Sequence, residues 1–100
     1  MIECIFCQLN KENFLYETDE LIVVKDIKPK ARTHYLIIPK KHIESVDKLE
    51  DKDVKLMGEL FIMAKRIAEK ENIVGYKLIV NVGRVGGQII DHIHMHLLAN

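Results

Sequence analysis

The sequence predicts an α+β fold, in which one long helix packs on an antiparallel sheet. Short segments rich in β-branched and aromatic residues occur at both ends of the chain, as is typical of strands. Between them, apolar residues recur every three or four positions over about five turns, which is the period of a helix. Strands with short links, then a single helix and further strands, favour an α+β sheet. A length of 100 residues favours one domain.

Five strands are predicted. The first two form a hairpin around the turn TDE, and Pro29 interrupts pairing in the loop that follows. A glycine-rich loop, GRVGGQ (83–88), connects the last two strands. In chain order the predicted strands are Phe14–Glu17, Leu21–Asp26, Thr33–Pro39, Tyr76–Val82 and His92–Leu98.

The long helix is expected to begin at Asp51, whose side chain can cap it, and to end at Asn72 or Gly75. A short helical turn over Ser45–Leu49 is expected before it. The apolar stripe of the long helix is interpreted as core that packs on the sheet. This stripe comprises Val54, Met57, Leu60, Phe61, Ala64, Ile67 and Ala68.

The charge balance argues against one class of partner. Fifteen basic and fifteen acidic residues give no net charge, which argues against binding a nucleic acid polymer but not a single nucleotide. No apolar run is long enough for a membrane span, and the N-terminus lacks the pattern of a signal peptide. We therefore expect a cytoplasmic protein in which Cys4 and Cys7 do not form a disulfide.

The segment HIHMHLL (92–98) holds three of the five histidines at every second position. On a strand, residues two apart lie on the same face, about 6.6 Å apart. The three histidines therefore share one face of the strand. Ile93, Met95 and Leu97 share the other face, which can pack under the helix.

Three alternating histidines admit several interpretations. Burying rings without partners would cost on the order of 1–3 kcal/mol for each unsatisfied polar group, so the rings are either solvated or used for chemistry. His92, His94 and His96 could hold a catalytic zinc ion with an open fourth position. Alternatively, one imidazole attacks a phosphate while the others donate to its oxygens. The preceding NVGRVGGQ (81–88) favours phosphate, because glycines let backbone N–H groups approach an anion.

Four motifs occur together in this chain. The histidine segment has the form His-x-His-x-His-x-x with apolar x, and DIKPKARTHYLIIPKKHI (26–43) contains an aspartate, a proline loop, a T-H strand and P-K-K-H. The other two are NVGRVGGQ and CIFC (4–7). With this combination, nearly the whole chain resembles the histidine triad (HIT) superfamily, most closely its Hint-like and bacterial HIT-protein branch. The resemblance implies the HIT-like fold, including a short N-terminal helical segment.

The resemblance implies a nucleotide hydrolase or transferase that acts at the α-phosphate of purine nucleoside monophosphate derivatives, either phosphoramidates or dinucleoside polyphosphates. His94 would attack phosphorus and form a nucleotidyl-histidine intermediate, which water then hydrolyses. His96 would contact the phosphate, His92 would orient the site, and His34 would lie near the leaving group or the phosphate. A non-catalytic purine nucleotide-binding module is the alternative, and a zinc hydrolase that uses the three triad histidines is a third hypothesis.

The resemblance also implies the nucleotide contacts. Asp26 would accept hydrogen bonds from the ribose hydroxyls, and Asn81 would reach the phosphate or the leaving group. Gly87 and Gln88 belong to the phosphate loop. The residues alone would assign the positions of the base pocket to the core. Those positions are Ile5, Phe6, Leu9, Val24 and Ile27.

Cys4 and Cys7 have the spacing of thiolates that hold zinc when two further ligands come from elsewhere, although two small buried thiols would also explain them. The resemblance supplies His42 and His92 as the other ligands of a structural, tetrahedral site, and it implies that catalysis requires no metal. It further implies a homodimer joined through the long helix and the fourth strand.

The chain departs from the family pattern in two places. Three residues before the first triad histidine, the Hint-like branch has a hydroxyl residue that can donate to the leaving group, and here this position is Ile89. Arg84 is a candidate for an alternative contact. The chain also ends two residues after the signature, so a short C-terminal tail is expected. The sequence therefore leaves the leaving group open, and it leaves adenine and guanine equally possible.

Overall fold

The computed structural model describes residues 4–100. It confirms the predicted α+β architecture, with five antiparallel strands in the order β1-β2-β3-β5-β4 and one long helix. Among the described residues, no helix is both long enough and apolar enough to cross a bilayer. The strands are β1 (Tyr16–Glu17), β2 (Leu21–Lys25), β3 (Thr33–Pro39), β4 (Lys77–Ile79) and β5 (Met95–Ala99), and the helix is α1 (Val54–Lys70).

The sheet has two faces with different roles. Residues directly opposite in an antiparallel pair point to the same face. Val23, Ile37 and Met95 are opposite one another across three strands and pack in the core cluster that includes α1, so we call theirs the helix face. Leu36 is opposite His96, and both lie on the other face, which we call the site face.

Helix α1 begins with a capping arrangement that differs from the predicted one. The predicted cap, Asp51, was wrong, because Asp51 begins a single 3₁₀ turn and α1 follows after Asp53. The side chain of Asp53 accepts from the backbone N–H of Glu50 at 2.9 Å, which satisfies a donor at the helix start. At the other end, Asn72 has a φ of 57°, the left-handed conformation that terminates helices, so the predicted end is confirmed.

The buried face of α1 is rotated relative to the predicted stripe. Val54 and Phe61 were predicted in the core, but they are 71% and 57% exposed. Leu56 and Met63 are buried in their place. The helix therefore contacts the sheet with the Leu56–Met63 edge of a broad apolar stripe, and the Val54–Phe61 edge faces outward.

The N-terminal segment covers part of the site face. The expected helical segment consists of two 3₁₀ turns, Phe6–Gln8 and Lys11–Asn13. Phe6 is buried against Val24 and Leu36, in a second core cluster that is separate from the one under α1. The segment thereby brings the residues around Phe6 close to the histidines.

Four strands are shorter than predicted, the second only by its last residue. The first spans Tyr16–Glu17 and the fourth Lys77–Ile79. The fifth strand begins at Met95, so His92 and His94 precede it. The reason is that the backbone before Met95 bonds to loops: the N–H of His92 donates to the Ile90 carbonyl at 2.9 Å, and that of Ile93 donates to Ile43 at 2.7 Å.

Candidate functional site

Four of the five histidines are largely buried and gather at one end of the site face. The rings of His94 and His96 have centroids 4.9 Å apart, and those of His34 and His96 are 5.1 Å apart. His42 lies against His92 at 4.9 Å. The residues predicted as catalytic are therefore close together, and their ring nitrogens have different partners.

His94 presents an unprotonated nitrogen. Its Nδ1–H donates to the carbonyl of His92 at 2.8 Å, which fixes the tautomer and leaves the lone pair on Nε2. Burial lowers the pKa of His94, although this hydrogen bond and the charge of Asp26 oppose the shift. The ring is therefore neutral near pH 7, as a nitrogen nucleophile must be.

His96 presents a proton, because a chain of hydrogen bonds fixes its tautomer. The backbone N–H of Lys30 donates to Nδ1 of His34 at 3.1 Å, so the proton of His34 lies on Nε2. That Nε2 donates to Nδ1 of His96 at 2.9 Å, which leaves the His96 proton on its own Nε2. This Nε2 is buried and has no partner among residues 4–100, so it is available to an acceptor on a ligand.

The electrostatics of His96 keep it a neutral donor. Burial lowers its pKa to about 4, assisted by the charges of His94, His34 and Lys30 and opposed by that of Asp26. A buried donor without a partner costs on the order of 1–3 kcal/mol. A phosphate oxygen next to His94 would remove that cost.

His92 is turned away from the other two triad histidines. Its Nε2–H donates to the carbonyl of Pro39 at 2.7 Å, and its Nδ1 lies 3.3 Å from Sγ of Cys4. Within the described chain, the groups of side chains able to share a metal ion do not include the triad as a set. The three-histidine catalytic zinc site is therefore not formed.

Cys4, Cys7, His42 and His92 instead converge on a single point, with their donor atoms all within 4.8 Å of one another. Sγ of Cys7 lies 3.4 Å from Nδ1 of His42 and 3.6 Å from Nδ1 of His92. Tetrahedral zinc with ordinary bond lengths puts sulfur and nitrogen ligands about 3.5 Å apart. Desolvation and the neighbouring Cys4 thiol raise the pKa of Cys7, and a cation would relieve both effects. The donor set fits a structural zinc ion.

Asp26 borders the histidines. Its Oδ1 accepts from the backbone N–H of Lys28 at 2.8 Å, and its Oδ2 lies 3.4 Å from Nε2 of His34. The carboxylate is partly exposed, so it remains accessible to a ligand's hydroxyl groups. Asp26 therefore fixes the loop it begins and also adds negative charge beside the His34–His96 pair.

The five positions predicted to line a base pocket divide into two groups. Phe6 and Val24 are buried and Leu9 packs against them, in the cluster on the site face. Phe6 also meets the ring of His94 edge-on, with centroids 5.0 Å apart. Ile5 and Ile27 are exposed, Ile27 by 92%. An apolar floor therefore adjoins His94, whereas Ile5 and Ile27 are exposed to solvent.

Gln88, predicted to contact a nucleotide, is buried and bonded within the protein. Its Oε1 accepts from Ser45 at 2.6 Å and from the N–H of Gly83 at 3.0 Å. Its Nε2 donates to the carbonyls of Glu44 and Ile90, at 2.7 and 2.9 Å. With these four bonds the side chain anchors the glycine loop, and none of its hydrogen-bonding capacity remains for a ligand.

The glycine loop differs from the expected anion nest. The N–H groups of Gly86 and Gly87 donate to the carbonyls of Gly83 and Arg84, at 3.1 and 3.0 Å. Gly87 has a φ of +94°, and a Cβ there would lie 3.7 Å from the Asn81 side chain, so these two predicted residues adjoin. The N–H groups of Gly83, Gly86, Gly87 and Gln88 therefore donate within the protein, and the positive φ at position 87 favours glycine.

Sequence reasoning gave Arg84 a different role and missed two backbone donors that follow the loop. Arg84, a candidate for contact with the leaving group, donates to the carbonyl of Gln88 at 2.7 Å and pairs with Asp91 at 2.8 Å. No hydrogen bond within residues 4–100 uses the N–H groups of Ile89 and Ile90, the two amides that follow the loop. No side-chain signal marks a backbone donor, so the sequence could not have identified them.

Comparisons with known proteins find relatives over nearly the whole chain. Residues 3–100 match the family model described as "Scavenger mRNA decapping enzyme C-term binding". The chain is 33% identical to Protein HitA of Neisseria gonorrhoeae over 103 residues, which cover 98% of this chain and 96% of that protein.

Solved structures are similar over nearly the whole chain. A HIT family hydrolase from Legionella pneumophila Philadelphia 1 superposes with a TM-score of 0.93 at 38% identity, covering 98% of this chain and 93% of that one. A HIT family hydrolase from Clostridium thermocellum gives 0.92 at 36% identity, with coverages of 100% and 92%. A histidine triad protein from Clostridium difficile gives 0.91 at 32% identity, with coverages of 97% and 90%.

Proposed function

This chain belongs to the histidine triad superfamily, as its sequence motifs predicted, and from that premise we propose that it cleaves purine nucleoside monophosphate derivatives at the α-phosphate through a nucleotidyl-histidine intermediate. Its structural relatives include HIT family hydrolases, so a nucleotide hydrolase of this family is the general function. The observation that carries the finer proposal is the pair of opposite tautomers at His94 and His96.

In the first step, Nε2 of His94 attacks the α-phosphorus and the bond to the leaving group breaks. The carbonyl of His92 holds the ring in the attacking tautomer and stabilises the positive charge that develops on it. The Nε2–H of His96 donates to a non-bridging phosphate oxygen and stabilises the charge that the equatorial oxygens carry in the transition state. In this proposal the amides of Ile89 and Ile90, which have no hydrogen-bond partner within residues 4–100, donate to the same phosphate.

In the second step, water attacks the phosphorus of the nucleotidyl-histidine, and the bond from phosphorus to Nε2 of His94 breaks. The proton of the water passes to solvent, and the nucleoside monophosphate is released. The same donors serve again, because the charge develops on the same oxygens. His34 acts through His96 in both steps, since it fixes which nitrogen of His96 carries the proton. We therefore assign His34 as a positioning residue, and His92 as a link between the zinc ligands and the His94 ring.

The nucleoside lies along the site face in this proposal. Asp26 accepts from the ribose hydroxyls, and the base lies on the apolar floor of Phe6, Leu9 and Val24. Ile27 and Ile5, whose side chains are exposed, close over the base in this proposal. Asn81 reaches the phosphate or the leaving group beside Gly87, and Gln88 supports the loop from behind.

A zinc ion held by Cys4, Cys7, His42 and His92 would be structural. With all four tetrahedral positions occupied, the ion would have no open site for a substrate. It would tie the N-terminal segment, including Phe6, to the segment that carries His94. Free thiols in this role suit a reducing compartment, so we place the protein in the cytoplasm.

We also propose a homodimer formed through α1 and β4. Val54 and Phe61 expose apolar surface on the outward edge of the helix, and Ile79 exposes more on β4. Strand β4 is also an edge strand, whose unpaired backbone groups a second copy would satisfy. Light scattering should report a dimer for the wild type and a monomer for Phe61→Glu. Val85→Glu, at a fully exposed loop position, is the matched control and should stay dimeric.

The test of the proposed function is release of AMP from adenosine phosphoramidate and from a dinucleoside polyphosphate, with wild type and His94→Ala compared with and without a strong chelator. Release that is lost in His94→Ala and survives the chelator supports the proposal. Tight AMP binding without turnover on either substrate would favour the non-catalytic binding module. Chelator-sensitive release that persists in His94→Ala would exclude His94 as the nucleophile.

A further inference from the structure

Arg84 forms a charge-assisted contact at the end of the glycine loop. Its Nη1 donates to the backbone carbonyl of Gln88 at 2.7 Å. Nη1 and Nη2 also pair with the two carboxylate oxygens of Asp91, at 2.8 and 3.0 Å. Among the described residues, no other hydrogen bond uses the Gln88 carbonyl. The guanidinium, which Asp91 holds in place, is therefore the group that fixes this carbonyl.

The Gln88 carbonyl belongs to the same peptide unit as the N–H of Ile89. This unit is trans and planar, so its C=O and its N–H point in opposite directions. Because Arg84 fixes the carbonyl, it also fixes the direction of the Ile89 N–H. That N–H has no hydrogen-bond partner within residues 4–100, and it points away from the guanidinium. Arg84 therefore lies behind the amide, on the side opposite to any acceptor that the amide meets.

The contact from Arg84 also strengthens the Ile89 N–H as a donor. Hydrogen bonds from a charged donor are roughly twice as strong as those between neutral groups. A strong hydrogen bond to the C=O of a peptide unit polarises the unit, and its N–H then donates more strongly. The guanidinium thus acts on the amide through the peptide bond, without a direct contact to the acceptor.

The segment that carries this amide is anchored beside the catalytic histidines. The carbonyl of Ile90 accepts from the N–H of His92 at 2.9 Å and from Nε2 of Gln88 at 2.9 Å. The side chain of Ile90 packs in the same cluster as Phe6, and the ring of Phe6 lies 5.0 Å from that of His94. The amide that precedes Ile90 is therefore held next to the site face.

We infer that Arg84 is a positioning residue, which orients and polarises the Ile89 amide so that this amide binds the phosphate of the nucleotide. The inference rests on the proposed function, because it takes the phosphate to lie at His94 and His96. It gives the loop a strong donor at a position where the Ile89 side chain has none. The Arg84 and Asp91 side chains are 61% and 60% exposed, and such a pair contributes little to stability. Substitution of Arg84 should therefore affect the reaction more than the fold.

Kinetics of AMP release from adenosine phosphoramidate test the role of Arg84. Arg84→Met should lower kcat/KM about tenfold, which is less than the 10²–10³-fold cost of losing a whole donor, while Tm stays close to that of wild type. This variant also leaves the negative charge of Asp91 unpaired. The double variant Arg84→Met/Asp91→Asn removes the pair without changing the net charge, and it should show the same loss. Wild-type activity in the double variant would mean that Arg84 acts only by neutralising Asp91, and it would overturn the inference.

Two further variants serve as controls for the kinetics. Asp91→Asn keeps the hydrogen bond from Arg84 to Gln88, so its kcat/KM should stay within about threefold of wild type. Arg66→Met removes an exposed arginine on α1 and matches the charge change of Arg84→Met. It should leave kcat/KM unchanged. A loss in Arg66→Met as large as that in Arg84→Met would show that net charge alone matters, and it would contradict the role of Arg84.

The amide proton of Ile89 gives a readout that does not depend on turnover. In ¹⁵N-labelled wild type, AMP should move the Ile89 amide proton resonance downfield, as a hydrogen bond to phosphate does, and adenosine should not. Arg84→Met should reduce this shift, and Arg66→Met should preserve it. If the wild type releases no AMP from any substrate, the proposed function fails, and the shift still decides the inference. An Ile89 resonance that AMP does not move, or that moves equally without Arg84, would overturn it.

Discussion

Nε2 of His34 lies 2.9 Å from Nδ1 of His96. Through this contact the buried His34, 62 positions away in sequence, determines which ring nitrogen of His96 carries the proton. His34 was expected near the leaving group or the phosphate. Instead, its Nδ1 accepts from the backbone N–H of Lys30, and its Nε2 donates to His96. Both of its ring nitrogens are therefore bonded within the protein. Its effect on the reaction therefore passes through His96.

Substitution of His34 tests this positioning role. The amide of His34→Gln can accept from Lys30 and donate to His96, so this variant should keep most of the activity. His34→Leu removes both bonds and should lower kcat about tenfold. That is less than the 10²–10³-fold expected for His96→Ala, which removes the donor itself. Steady-state AMP release measures all three. Equal losses in the Gln and Leu variants would show that the hydrogen bonds of His34 do not matter.

Zinc should determine stability rather than chemistry. A metal present at one hundred times its dissociation constant stabilises the fold by about 2.7 kcal/mol. For a domain of this size, that corresponds to roughly 10–20 °C in Tm. We expect one zinc per chain by elemental analysis, a fall in Tm of this size after chelation, and little change in kcat at 25 °C.

Cys7→Ser is the control for the zinc prediction. It removes one ligand of the cluster, so it should lower Tm by itself and make the chelator ineffective. Absence of zinc from the purified protein would contradict the prediction, as would loss of kcat on chelation while the circular dichroism spectrum stays unchanged.

The hydroxyls of Tyr16 and Tyr35 both donate to the carboxylate of Glu71, each at 2.6 Å. The hydrogen bond to Glu71 and burial raise the pKa of Tyr16 to about 12, and burial and the same carboxylate raise that of Tyr35 to about 12. Because the folded pKa values lie above the unfolded value of 10.0, this stabilisation is complete below pH 10 and is lost as the pH rises towards 12.

Glu71→Gln should therefore reduce the free energy of unfolding by about 1–3 kcal/mol at pH 7, and the difference from wild type should shrink between pH 10 and 12. Glu69→Gln removes an exposed carboxylate that pairs with Lys65 on the same helix, and it should change stability by less than about 0.5 kcal/mol. Urea unfolding at several pH values measures both. A constant difference across this pH range would contradict the assignment.

The fold was largely predictable because its signals are local. Strand β3 spans Thr33–Pro39 as predicted, since β-branched residues and flanking turns define it within the segment itself. The face of α1 was less predictable. Both the Val54–Phe61 and the Leu56–Met63 edges of its stripe are apolar, and only packing on the sheet determines which one is buried.

The candidate site was likewise predictable only where its signals are local. Spacing alone grouped the histidines, but the partner of each ring nitrogen depends on contacts distant in sequence. Gln88 appeared to be a ligand contact because it follows glycines, yet Ser45, 43 positions away, occupies its side chain. The backbone N–H that donates to His34 and the carbonyl that accepts from His94 have no side-chain signature at all.

The stereochemical course at phosphorus tests the central claim, a covalent intermediate on His94, most directly. A substrate with a chiral α-phosphorothioate, hydrolysed in ¹⁸O-labelled water, reports the configuration of the product. Attack by His94 followed by attack of water gives two inversions, so the account predicts net retention. Net inversion would mean that water displaces the leaving group in a single step, and it would contradict the nucleotidyl-histidine mechanism.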